Sequence, residues 1–254
     1  MTKPIGEVIL TVAAGSHAHG INTATSDYDY VSVAVAPLAR TLGIDPQPKT
    51  QTERTAPAGV RSSAGDVEHV TYELRHYVSL AAQGNPSMLV PLFVDQEQVC
   101  YEIWRGESLR DLAPAFVSMR AVRRHLGYLD AQRARMIGSG PHQSRKPNRP
   151  ELVAAHGFDT KYAAHALRLG LQGVELAETG RLQLPMEDQH RATLLALRGG
   201  ELSETEALAL IDENRDRLRA YVNGDLRGDL PPEPDLDRIN DWLVSVQLWM
   251  GGER

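Results

Sequence analysis

Residues 15–30 read Gly15-Ser16-His17-Ala18-His19-Gly20-Ile21-Asn22-Thr23-Ala24-Thr25-Ser26-Asp27-Tyr28-Asp29-Tyr30. An apolar run, Val8-Ile9-Leu10-Thr11-Val12-Ala13-Ala14, leads into them, and Val31-Ser32-Val33-Ala34-Val35 leads out. Both runs are short and rich in β-branched residues, which predicts two strands with Gly15 and Ser16 in the turn between them. Side chains alternate along a strand, so Asp27 and Asp29 are expected on one face of the second strand, with Tyr28 and Tyr30 on the other. Two carboxylates roughly 4–6 Å apart repel by a few kcal/mol at the effective dielectric of a protein surface. A divalent cation offsets that repulsion. By itself Asp-x-Asp is more often a solvated strand end or turn. The glycine-serine pair ahead of it matters more: Gly15 permits close backbone approach, and Ser16 offers a hydroxyl and an N–H to a phosphate oxygen. A phosphate cradle coupled to a metal clamp is what nucleotidyl transfer requires.

This arrangement resembles the signature of the DNA polymerase beta-like nucleotidyltransferase superfamily: apolar strand, Gly-Ser, a gap of about ten residues, then Asp-x-Asp between apolar neighbours. More narrowly, Gly15-Ser16-His17-Ala18-His19-Gly20 followed by Thr25-Ser26-Asp27-Tyr28-Asp29 is similar to the bacterial and phage nucleotidyltransferases of the RNA-repair branch, which is associated with an RNA ligase. The likeness continues in Gly84-Asn85-Pro86, in Gly157-Phe158-Asp159-Thr160-Lys161-Tyr162-Ala163-Ala164-His165-Ala166-Leu167-Arg168 and in Thr179-Gly180-Arg181-Leu182-Gln183-Leu184-Pro185, so it spans most of the chain.

The resemblance implies an α/β (α+β) nucleotidyltransferase core with a small mixed sheet, Mg²⁺ (or Mn²⁺) as cofactor, an NTP substrate and an RNA or tRNA 3′ end as acceptor. It implies a third carboxylate on a neighbouring strand. In this branch the position four before a tyrosine is acidic, which selects Glu68, ahead of Tyr72; Asp66, on the same face of that strand, is the alternative. The usual residue there is aspartate, so Glu68 is longer by a methylene. Asp27, Asp29 and Glu68 are then the catalytic and metal-binding set, and Gly15 and Ser16 grip the β- and γ-phosphates. The family pattern Asp-x-Lys-x-x-x-His-x-x-Arg matches Asp159, Lys161, His165 and Arg168. It implies phosphate binding by Lys161 and Arg168, with His165 either a phosphate ligand or a support for Lys161.

The chain has 254 residues, 42% of them apolar and 24% charged, which is ordinary for a globular protein with room for one large domain or two small ones. A net charge of −6 argues against binding nucleic acid by bulk electrostatics but leaves room for a local basic groove. The single cysteine, Cys100, excludes an intramolecular disulfide and fits a reducing cytoplasm. No apolar run reaches the ~18–20 residues that span a membrane. The acidic Glu7 and the glycine-serine turn around the first apolar run argue against a signal peptide.

Further along, 37–66 is rich in Pro, Thr, Gln and Gly and reads as a loop or hairpin insertion, with a third strand over 65–72. Helical periodicity runs from Glu73 to Ala82 and stops at Gly84; Asn85 and Pro86 restart a helix, and Asn85 is either its cap or a polar contact near the site. A long helix over 118–137 carries Arg120, Arg123, Arg124, Arg133 and Arg135, a charge run of the kind that forms a solvated face. The stretch 138–150 is basic and free of acids, with Arg145 and Lys146 at its centre. It is either an interdomain linker or a loop that closes over a polyanion. The rest reads as helices: 160–179, capped by Asp159 or Thr160; one opened by the capping box of Ser203 and Glu206; and one from Asp235, with Ile239, Leu243, Val246 and Leu248 on its apolar side. On the first of these Lys161, His165, Arg168, Gln172 and Glu175 form a polar stripe opposite an alanine- and leucine-rich side. The expected division is a catalytic domain over 1–137, the basic segment 138–150, and a helical domain over 151–254.

The expected activity is metal-dependent transfer of a nucleotidyl group from an NTP to an acceptor hydroxyl. The acidic pair, the 15–16 bend and the cations of the 160–179 helix would share one cleft. A protein or small-molecule hydroxyl serves the same chemistry as an RNA end, and a catalytically inactive nucleotide-binding module is a further alternative. Metal-dependent hydrolysis through His17, His19, His69 and His76 lacks a familiar ligand spacing.

Overall fold

Residues 31–35 put an apolar or small side chain at nearly every position, more than the alternation of a half-exposed strand requires. Ser32, Val33, Ala34 and Val35 are all fully buried, as on a strand covered on both faces. The computed structural model describes residues 4–44, 48–138 and 149–252, and groups them into two compact units. One unit holds the described residues up to Phe116, with Gln183–Pro185 and the chain from Pro234 on; the other holds Val117–Leu182 and Met186–Glu233.

In chain order the first unit contains β1 (Glu7–Ala13), α1 (Gly15–His19), β2 (Tyr28–Val35), α2 (Leu38–Leu42), β3 (Thr50–Arg54), β4 (Val67–Glu73), α3 (Leu74–Ala82), α4 (Pro86–Phe93), β5 (Val99–Glu102), α5 (Trp104–Asp111) and α6 (Ala113–Phe116). The described strands form one sheet in the order β3-β4-β2-β1-β5, mixed because β2 and β4 run parallel while the other neighbours are antiparallel. This is the small mixed sheet the sequence implies. The insertion over 37–66 supplies α2 and the edge strand β3, which pairs with β4 as a hairpin. Glu73 caps α3 by accepting from the Arg75 and His76 N–H groups, and Asn85 caps α4 by accepting from the Ser87 N–H at 3.0 Å. Asn85 therefore has a local structural task.

The second unit contains α7 (Met119–Met136), α8 (Pro150–His156), α9 (Thr160–Thr179), α10 (Asp188–Gly199) and α11 (Glu204–Asn223). The capping box of Ser203 and Glu206 forms as the sequence predicts. The axis of the unit is α9, which packs against α7, α10 and α11. Two glycines bring the neighbours close: a β-carbon at Gly170 would stand 2.8 Å from Asn214 Cβ, and one at Gly173 2.8 Å from His125 Cβ. Along its polar stripe Gln172 is buried, His165, Arg168 and Glu175 are half-buried and Lys161 is exposed, so most of the stripe is covered.

The division differs from the expected one at both ends. α7 joins the helical unit because Ala121, Val122, Leu129 and Met136 are buried along the side that packs on α9. The last helix, α12 (Leu236–Gly252), groups with the sheet unit. There Ile239 and Val246, two turns apart, are buried, and the Trp242 indole donates to Ser108 Oγ at 3.0 Å. Leu248, two residues past Val246, lies off that stripe and is exposed. Arg145 and Lys146 lie outside the described residues. No described helix is long and apolar enough to cross a membrane.

Candidate active site

The end of β1 and the start of β2 are joined by a hydrogen bond from the Ala14 N–H to the Asp29 carbonyl at 2.8 Å. The chain then turns sharply at Gly15, whose φ of +56° is left-handed, and enters α1. Gly15 and Ser16 thus open a short helix, where the sequence predicts a simple turn. α1 closes at Gly20, and its His17 and Ala18 carbonyls accept from the Gln98 side chain at 2.9 and 3.0 Å. A β-carbon at position 15 would lie 2.0 Å from Asp29 Oδ2 and 2.9 Å from its Cγ. The carboxylate of Asp29 is therefore seated directly on the glycine.

Asp29 is the second residue of β2, while Asp27 precedes the strand, so strand alternation orients only Asp29. Ahead of Asp27 the chain is held by a turn in which the Ser26 N–H bonds to the Thr23 carbonyl at 3.0 Å. Across the parallel pair Asp29 stands in register with Glu68. In-register neighbours on adjacent strands project to the same side of a sheet. On the opposite side of β4, Glu68 is in register with Arg54, and its carboxylate forms an ion pair with that guanidinium at 2.8 Å. Among the described residues no three His, Cys, Asp or Glu side chains are gathered closely enough to hold a metal ion.

Asp66 is placed differently. It lies before β4, accepts from the Ser63 N–H and hydroxyl at 2.8 Å each and from the Thr55 hydroxyl at 2.9 Å, and is held below the usual carboxylate range chiefly by the Ser63 bonds. Its carboxylate closes a turn. Of the two candidates, Glu68 is the one in register with Asp29.

The histidines do not converge. His17 stacks on Tyr28, ring centroids 4.6 Å apart, with Nε2 buried and unpartnered among the described residues. His19 lies two residues on along α1 and so points elsewhere. His69 shares a 2.7 Å hydrogen bond with Ser32 Oγ, which also bonds Thr11 Oγ1 at 2.6 Å. His76 stacks on Tyr72.

In the helical unit, Asp159 is the cap of α9, accepting from the Tyr162 N–H at 3.1 Å, and is itself paired with Arg149 at 3.4 Å. The Tyr162 ring has the Arg149 guanidinium 5.1 Å and the Arg135 guanidinium 6.0 Å from its centroid. Next on the stripe is His165. Burial first, and then the positive charges of Arg168, Arg135 and Arg149, push it down to about 3, so its ring is neutral at any ordinary pH. Burial also brings Arg168 down to about 10; its Nη1 donates to Gln172 Oε1 at 2.7 Å. Lys161 is exposed on the first turn. Arg135 and Arg149 were not legible as members of this group, since Arg135 reads as part of a solvated run and Arg149 as part of a loop.

Over an alignment of 122 residues that takes in 46% of this chain, it is 27% identical to an uncharacterized 38.9 kDa protein from the nrdC-mobD intergenic region of Enterobacteria phage T4, 35% of which is covered. The chain thus spans about a third of that relative. A nucleotidyltransferase-like protein from Exiguobacterium sibiricum aligns with 98% of this chain and 76% of its own, at a TM-score of 0.30 and 11% identity. The model of the RNA repair pathway DNA polymerase beta family matches residues 3–245, nearly the whole chain, and the chain belongs to that family.

Proposed function

We propose that the protein is a Mg²⁺-dependent nucleotidyltransferase that moves a nucleoside monophosphate from an NTP to the 3′-hydroxyl of an RNA. The observation that carries this reading is the seating of the Asp29 carboxylate on Gly15, in register with Glu68. The donor set fits the metal: Mg²⁺ is usually held by one or two carboxylates together with substrate phosphates, so Asp27 and Asp29 suffice without a closed protein cage. Bound there, the cation would lower the pKa of the attacking hydroxyl and offset charge on the departing pyrophosphate.

The remaining work falls to the chain. Gly15 and Ser16 hold the β- and γ-phosphates, with Ser16 donating its N–H and hydroxyl. The acceptor oxygen forms a bond to the α-phosphorus as the bond to the β-phosphate oxygen breaks, and Glu68 takes the hydroxyl proton. For that Glu68 leaves Arg54. Both side chains are about one-third exposed, and such pairs hold by no more than about 1 kcal/mol. Lys161 and Arg168 bind phosphate. An RNA acceptor is preferred over a protein or small-molecule hydroxyl because the family is one of RNA repair. The test is incubation with each α-³²P-labelled NTP and Mg²⁺ in the presence of RNA, protein or small-molecule acceptors. Label on RNA supports the reading, label on another acceptor reassigns the substrate, and no transfer to any acceptor rejects it.

A further inference from the structure

The two faces of the described sheet are unlike. On the side of Asp29, Leu10, Val12 and Val33 are fully buried, as a core-facing surface requires. The other side carries Tyr28, Tyr30 and Ser32 of β2, Thr11 of β1 and His69 of β4. Of these only Ser32 is buried; Tyr28 is 42% exposed, and Tyr30, His69 and Thr11 are half-buried. A sheet with one solvated face ordinarily puts polar side chains there, whereas this one puts three rings there. Each ring is held. Tyr28 is stacked on His17 with the ring planes 16° apart, and Tyr30 meets His69 edge-on at 6.1 Å between centroids. His69 is anchored in turn by the 2.7 Å hydrogen bond between its Nε2 and Ser32 Oγ, and Ser32 by its 2.6 Å bond to Thr11. Tyr28 and Tyr30, two residues apart on one strand, stand roughly 6–7 Å from each other.

We propose that Tyr28, Tyr30 and His69 form a stacking platform for the unpaired bases at the 3′ end of a single-stranded RNA acceptor. Unpaired bases bind proteins largely by stacking on aromatic side chains, and a ring already fixed by its neighbours loses little freedom when a base settles on it. Three rings along two adjacent strands suit successive nucleotides, whereas an NTP brings a single base. The platform begins beside the carboxylates. Tyr28 lies between Asp27 and Asp29 at the first position of β2, so a strand on the rings rounds the rim of the sheet to present its terminal hydroxyl. No lysine or arginine stands among these side chains, and Glu53, in register with His69 on the edge strand β3, is an exposed acid. Stacking, not phosphate pairing, is therefore the source of affinity here, in keeping with a net charge of −6. The proposal rests on the reading of RNA as the acceptor, and adds how that RNA is held.

The test is fluorescence anisotropy on the full chain, without Mg²⁺ or NTP, using a 5′-labelled single-stranded RNA oligonucleotide and the same oligonucleotide with abasic riboses at its 3′-terminal positions. The native chain should bind the intact RNA at least about fivefold more tightly than the abasic one. That ratio should hold between about 50 and 200 mM salt, since stacking releases no counterions. Tyr28→Leu and Tyr30→Leu should each remove most of the ratio, while Tyr28→Phe and Tyr30→Phe keep it, because phenylalanine offers the same π-face. Calorimetry with ATP identifies the source of the base: Tyr28→Leu should leave the affinity for ATP unchanged, and loss of ATP affinity with the RNA ratio intact overturns the proposal. Equal affinity for intact and abasic RNA overturns it too, as does a ratio that survives in both leucine variants or falls in both phenylalanine ones. Tyr28 is exposed, so Tyr28→Leu stays informative if Tyr30→Leu fails to fold. Because the binding measurement needs no turnover, nucleotidyl transfer to RNA without this preference would reject the platform and leave the proposed function standing. The preference without transfer would do the reverse.

Discussion

Asp29 Oδ2 lies 2.0 Å from where the β-carbon of any other residue at position 15 would stand, so Gly15 and Asp29 are a matched pair. Proximity and conformation both demand glycine, since φ at Gly15 is +56°. Gly15→Ala adds about 1 kcal/mol of left-handed strain and about 1–3 kcal/mol of crowding. It also displaces the carboxylate, and a shift of about 1 Å at a reacting centre costs on the order of 10²-fold in rate. We expect a folded protein with a lowered Tm and turnover reduced at least that much. Normal turnover in the alanine variant would mean that the Asp29 position is not critical.

Glu68 and Asp66 separate by mutation. Glu68→Gln should lower kcat by about 10²-fold, as loss of a general base does, with little change in Tm, because the pair with Arg54 is solvent-accessible. Asp66→Ala should do the opposite, lowering Tm through loss of its bonds to Ser63 and Thr55 while kcat stays within a few-fold. Arg54→Gln releases Glu68 and should raise kcat by up to about fivefold, the equivalent of ~1 kcal/mol. Kinetics and thermal melts on the three variants check all of this, and a reversed pattern for Glu68 and Asp66 would exchange their roles.

Much of this was legible in the chain. The strands around 15–30, the helices over 119–136 and 160–179 and the Ser203–Glu206 box follow from local patterns that read directly. What escaped depends on pairing across distance. Short β3 and β5 carry polar residues because they are edge strands, and α12 groups with the sheet unit through contacts with residues some 130 positions away, such as Ser108. The Arg54–Glu68 pair exists because β3 folds back onto β4, which no spacing within either strand announces. Likewise Arg135 stands by Tyr162 because α7 packs on α9, and Arg149, just ahead of α8, because it pairs with the α9 cap Asp159; neither contact is disclosed by the basic runs themselves.

Stability should fall steeply in mild acid. His125 is fully buried, donates from Nδ1 to the Ala121 carbonyl at 2.9 Å, and is pushed down to about 4, chiefly by burial. The unfolded chain binds this proton near pH 6.5 and the folded chain only near 4, so stability is lost as pH falls between those values. The full loss from this group is about 3 kcal/mol, at 1.36 kcal/mol per pH unit. His125→Asn keeps a donor for the Ala121 carbonyl and removes the titration, so its Tm should drop less between pH 7 and pH 4.5 than that of the native chain. Parallel Tm curves for the two proteins would show that His125 is not the buried titrating group.

The most direct measurement of the central claim is Mg²⁺-dependent transfer of label from an α-³²P NTP to an RNA 3′ end by the native chain and by Asp29→Asn. Removing one like charge should leave the melting temperature equal or slightly higher. The account predicts robust, chelator-sensitive labelling by the native chain and a loss of at least about 10³-fold in the folded variant. Labelling by Asp29→Asn at the native rate would contradict it.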